Sequence, residues 1–175
     1  PGNFRLASGG TPQSTGKSGP GGAVYRIDFS VNSAGTRYIT LEVEPQAARW
    51  MMFSELRVTS GGSTVPVASY TLPQATLGTV KNDNGTQLTN GAVDYGLDND
   101  CVAWDTETSP GTRDLVVDLE KSETIREITL YSVSSVAYGN AYSVRNAVFY
   151  TSEDGVNWTE QGIVDKSALI QGEIG

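Results

Sequence analysis

Apolar residues along this chain alternate with polar ones in short runs, and no amphipathic stretch exceeds two turns of helix. From residue 24 the alternation is strict on one face. Tyr25, Ile27, Phe29 and Val31 point one way over 24–31, as in a half-buried strand. Asn32-Ser33-Ala34-Gly35 predicts a turn, 38–43 a second strand ended by Pro45, and 50–58 (WMMFSELRV) a third. Before them, residues 1–22 hold seven Gly and three Pro and predict a flexible loop. After them, 60–69 predicts a linker. Beyond it 70–96 is turn-rich, 115–119, 125–131 and 146–152 are strands, and a polar, aromatic loop fills 132–142. Glu153-Asp154-Gly155 is a hairpin signal, and the strand resumes at 156–159 with Trp158. Strands spaced by about 8–12 residues between tight turns predict an all-β, antiparallel β-sandwich.

Composition narrows the chemistry. The 175 residues carry 12 Lys+Arg against 20 Asp+Glu, a net charge of −8, with no His and one Cys, Cys101. Without His there is no Ser-His-Asp or Cys-His nucleophile and no His-ligated zinc or haem. One Cys makes neither an internal disulfide nor a thiolate cluster, and with no base to activate it Cys101 reads as a small buried hydrophobe. The negative charge disfavours nucleic acid as a partner. No apolar run approaches the roughly 20 residues that span a bilayer, and no signal peptide opens the chain. Its Pro-Gly start reads as a piece of something larger. The low charged fraction, 18%, with Thr, Asn and Gly in place of Cys pairs, predicts a secreted, bacterial module.

The order of the second block is distinctive: NGTQLTNG at 84–91, Trp104, the strand 115–119, I-x-x-I-x-L within 125–131, then VFYTSEDGVNW at 148–158. It resembles the galactose-binding-like, discoidin or coagulation-factor type C domains, and their bacterial carbohydrate-binding relatives, over about 81–162. Such sequences close with a segment that nothing after Trp158 supplies. Instead TRYITLEV at 36–43 and WMMFSELRV at 50–58 are similar to it, so the closing strands precede the opening ones. The chain is then either a circularly permuted single sandwich or parts of two tandem repeats. The division expected is closing strands in 1–60, a linker at 61–69 and opening strands in 70–175, together making one jelly-roll sandwich.

The resemblance implies a structural Ca²⁺ held by the LTNG loop and by the glutamate of the closing strand. In this sequence those are Asn90, where the family has Asp, with Gly91, and Glu55. Asp83 and Asp98 extend the oxygen donors toward the six to eight that Ca²⁺ takes. Sugar binding needs aromatic faces beside planar polar groups. Tyr138, Asn140, Tyr142 and Arg145 offer these within eight residues, with Trp50 and Tyr95 as further candidates. Trp104 and Trp158 are assigned to the core or its rim. No carboxylate sits in the apolar context of a glycosidase acid, and Asp118 and Glu127 face outward on strands. The expected function is a non-catalytic carbohydrate-binding module that targets a polysaccharide-degrading parent enzyme to its polysaccharide, with that enzyme's catalytic domain as a partner. The alternative is a spacer or assembly domain that binds no sugar.

Overall fold

The computed structural model describes residues 13–19, 22–45, 50–73, 80–81, 83–93, 101–106, 108, 110–135 and 144–164. They form a curled antiparallel sheet of ten strands: β1 (Gln13–Gly19), β2 (Gly22–Pro45), β3 (Trp50–Ser60), β4 (Ser63–Val65), β5 (Ser69–Thr71), β6 (Val80–Lys81), β7 (Val102–Asp105), β8 (Arg113–Ser135), β9 (Val144–Ser152) and β10 (Thr159–Val164). The main path runs β10-β9-β2-β8-β3-β7-β6, with β1, β4 and β5 paired to β2, β3 and β8. One short 3-10 turn, Gln87–Thr89, lies between β6 and β7. The expected all-β, antiparallel architecture is the one observed.

Two long strands organise it. The predicted turn at Asn32–Gly35 does not reverse the chain, because the residues before and after it pair with the same partner: Ile27 lies opposite Leu130 and Leu41 opposite Leu115. The turn residues become a bend inside β2. The Ser33 and Thr36 hydroxyls meet at 2.7 Å, and Ser33 reaches Thr151 at 3.2 Å. β8 bends alongside, merging the two strands expected at 115–119 and 125–131, with Glu120 at φ +66°. Each long strand therefore serves both layers, and the interior is drawn from both blocks of the sequence. Phe29 on β2 and Phe149 on β9 stack with ring centroids 4.4 Å apart among residues such as Ile39, Leu88, Trp104 and Ile128.

Two segments read as loop or linker are strand. Residues 13–19 pair with β2 through the backbone, helped by a Thr15 hydroxyl that donates to the Val24 carbonyl at 2.8 Å. In the expected linker, Gly61 and Gly62 both take positive φ and turn β3 back into β4, as a two-residue hairpin requires. Val65 and Tyr70 are buried there. Small polar residues hid these elements because main-chain pairing, not side-chain alternation, forms them. Trp104 and Cys101 are fully buried as expected, whereas Trp158 is 38% exposed on the rim.

Candidate functional site

Strict alternation along β3 would send Met51, Phe53, Glu55 and Arg57 to one face and bury an ion pair among hydrophobics. The chain avoids this with a bulge: the register against β8 shifts between Phe53 and Glu55, leaving Ser54 as the extra residue. Met51, Phe53, Leu56 and Val58 then share the main core, while Glu55 and Arg57 turn to the opposite face. On that face lies a second, smaller cluster of Val24, Met52, Cys101, Ala103, Tyr131 and Val133, against which Trp50 and Val93 pack.

Glu55 is only 2% exposed, beneath the loop that follows the 3-10 turn. Its carboxylate accepts the Gly91 N–H at 3.1 and 3.2 Å, one contact for each oxygen, and the Arg57 Nε–H at 3.4 Å. Arg57 in turn donates through Nη2 to the Gly91 carbonyl at 3.1 Å and through Nη1 to the Tyr131 hydroxyl at 3.2 Å. The guanidinium carbon stands 5.0 Å from the centre of the Tyr131 ring. Two side chains on one strand face thus hold both backbone groups of one loop residue. Gly91 presents them from φ +82°, a conformation that side-chain-bearing residues rarely adopt. Burial pushes the Glu55 carboxyl above the ordinary carboxylate range, against the downward pull of Arg57 and the Gly91 N–H.

Beside this cluster β3 has an interrupted edge. On that edge β7 pairs with it up to Phe53 and β4 from Val58. A cleft of about 450 Å³ opens there. Its wall is Val65, Pro66 and Val67, and its rim is Arg57, Thr64, Thr89 and Asn90. Polar and apolar groups line it in nearly equal measure. The carboxylate facing it is engaged on both oxygens.

Of the nominated metal ligands, the structure brings Glu55 and Gly91 into direct contact, with Asn90 adjacent, though each is occupied. The Asn90 side-chain oxygen accepts the Ala92 N–H at 2.7 Å. Asp83 receives the Tyr70 hydroxyl at 2.6 Å and the Gly85 N–H at 2.9 Å. That bond and burial hold the Tyr70 hydroxyl well above its usual range. Asp98 lies outside the described residues. Among the described residues no group of three or more His, Cys, Asp or Glu is placed to hold a metal ion. Arg57 already holds the Glu55 carboxylate and the Gly91 carbonyl.

Of the nominated sugar-binding residues, Tyr138, Asn140, Tyr142 and Tyr95 lie outside the described residues, and Arg145 falls within β9. Trp50 is half-buried against the second cluster. Asp118 and Glu127 do face outward: Asp118 pairs with Arg37 at 2.9 and 3.1 Å, and Glu127 lies 4.0 Å from Arg26. Sequence reasoning passed over Arg57 and Tyr131. The signal for Arg57 was its spacing, since residues two apart on a strand share a face, and Glu55 had already been singled out. Tyr131, 74 positions downstream of Arg57, left no such signal.

Among known families, the F5/8 type C domain matches residues 74–171, which contain the 3-10 turn and β6 to β10. Glu55 and Arg57 fall before that match. No curated protein and no solved structure matches the chain.

Proposed function

The chain belongs to the F5/8 type C domain family, and from that premise we propose that it is a non-catalytic carbohydrate-binding module, carried by a secreted enzyme that degrades polysaccharide. Domains of this family bind carbohydrate or phospholipid and are generally non-catalytic. The observation that carries the choice between those ligands is charge. A net charge of −8 opposes approach to an anionic lipid surface, whereas a neutral glycan is indifferent to it. The residues proposed to contact sugar remain Tyr138, Asn140, Tyr142, Arg145, Trp50 and Tyr95. Shallow sites of this kind bind weakly one at a time, and repeated engagement along a polymer compensates.

Affinity gel electrophoresis with native polysaccharides tests this, beside sedimentation with phosphatidylserine vesicles. The expected result is retardation by at least one polysaccharide, none of the protein in the vesicle pellet, and loss of retardation in Tyr138→Ala or Asn140→Ala. Capture by vesicles without any glycan binding would overturn it. The spacer reading draws on one feature, the exposure of Val156 (77%) and Trp158 (38%) together at the β9–β10 hairpin. A protein that bound neither ligand but self-associated through that hairpin would be such a spacer.

A further inference from the structure

The oxygens around Arg57 come from three separate parts of the chain. They are a carboxylate oxygen of Glu55 on β3, the carbonyl of Gly91 in the loop after the 3-10 turn, and the hydroxyl of Tyr131 on β8. A carboxylate, a backbone carbonyl and a hydroxyl gathered about one cation are oxygen donors of the kind a hard cation collects. Here the positive charge at that point is covalently part of the protein. We propose that these oxygens form a cation site whose occupant is the Arg57 guanidinium, so that the 89–93 loop is locked to the sheet without a metal ion.

Three features make the guanidinium suited to the task. Its planar fork spreads five N–H donors over three nitrogens in fixed directions, where a compact ammonium directs three from a single atom. Three of its five N–H groups are spent on the three oxygens, and the ring of Tyr131 supports its face at 5.0 Å. The nearby negative charge is one carboxylate that is nearly fully buried, and one guanidinium neutralises one carboxylate. A divalent ion at the same point would leave excess positive charge unless a further carboxylate joined it. The other nominated carboxylate that is described, Asp83, accepts the Tyr70 hydroxyl and the Gly85 N–H, both at Oδ1. The inference stands apart from the choice of glycan, since it concerns what fixes the loop and not what binds beside it.

Thermal melting of the whole chain in calcium chloride and in EGTA is the test. The wild type is expected to melt at the same temperature in both. Arg57→Ala is expected to melt lower in EGTA and to regain part of the loss in calcium chloride, because the freed oxygens then accept an added ion. Arg26→Ala removes another guanidinium from the same sheet, one paired with Asp28, and is expected to show no calcium response. A fall in the wild-type melting temperature with EGTA would overturn the proposal, as would an Arg57→Ala variant that calcium does not help. If Arg57→Ala fails to fold, amide hydrogen exchange on the wild type in EGTA decides: the Gly91 amide should be protected, and exchange at the rate of an open loop would overturn the proposal.

Discussion

Two loops of this molecule are each closed by a single carboxylate, and they differ in almost every other respect. In the β9–β10 hairpin, Asp154 accepts the N–H groups of Val156 and Asn157 at 2.8 and 2.7 Å, the Asn157 side chain at 2.7 Å and the Ser152 hydroxyl at 3.0 Å. All of its partners lie within three residues, in water, and they hold the Asp154 carboxyl well below the usual carboxylate range. Glu55 grips a residue 36 positions away, beneath a loop, and burial pushes its carboxyl up. Hydrogen bonds decide the exposed case because solvation of the charge is retained. In the buried case, the lost solvation outweighs the bonds that replace it. A carboxylate that closes a turn and one that docks a loop thus respond to pH in opposite directions.

The largest expected effect comes from breaking the buried case. Glu55→Ala leaves the Gly91 N–H without its acceptor and Arg57 without its counter-charge. Losing one partner of a buried pair costs about 3–5 kcal/mol, and because the Arg57 side chain is 37% exposed the expected loss is about 2–3 kcal/mol in urea unfolding. The pH dependence sharpens the contrast. The folded-state pKa of Glu55 is raised, so its protonation adds stability that is complete below the ordinary glutamate range and is lost as pH rises through the folded value, leaving at neutral pH the contacts of the ionised carboxylate. Asp154 is depressed, so its contribution is present above the ordinary aspartate range and is lost on acidification. Asp154→Asn is accordingly expected to lower the melting temperature at neutral pH by less than Glu55→Ala, with the gap to wild type closing in acid. The smallest effect is expected for Arg37→Gln. Arg37 meets Asp118 in a forked pair at 2.9 and 3.1 Å, but on the surface. Its removal should leave urea unfolding unchanged within error once salt is high enough to screen the pair.

The same comparison explains what the sequence disclosed. Asp154 was legible because S-x-D-G carries its own partners, and the strands at 24–31 and 146–152 were legible because alternation is local. The grip of Glu55 and Arg57 on Gly91 needed two facts that no short window holds: the bulge at Ser54 and the return of the loop to β3. A hint existed, since alternation from Met51 and Phe53 runs straight into Glu55, and a strand that would bury a charge is a strand that shifts register. The bend at Ser33–Thr36 was misread for the related reason that its partner, Thr151, is 118 positions away from Ser33. Family resemblance pointed to Glu55 and Gly91 as partners, which the structure brings together, but it could not reveal that Arg57 bonds to both.

The ladder joining β2 to β8 has a consequence for how the protein reaches this state. Gly22 meets Ser135 and Val43 meets Arg113, so the paired residues lie between 70 and 113 positions apart. High contact order of this kind places folding in the slow, millisecond-to-second range of β proteins, since most of the polypeptide must be made before the two strands can join. Until then β2 has one edge open along its length and the other covered only where β1 pairs with it, and the nascent module is most exposed to aggregation during its own synthesis.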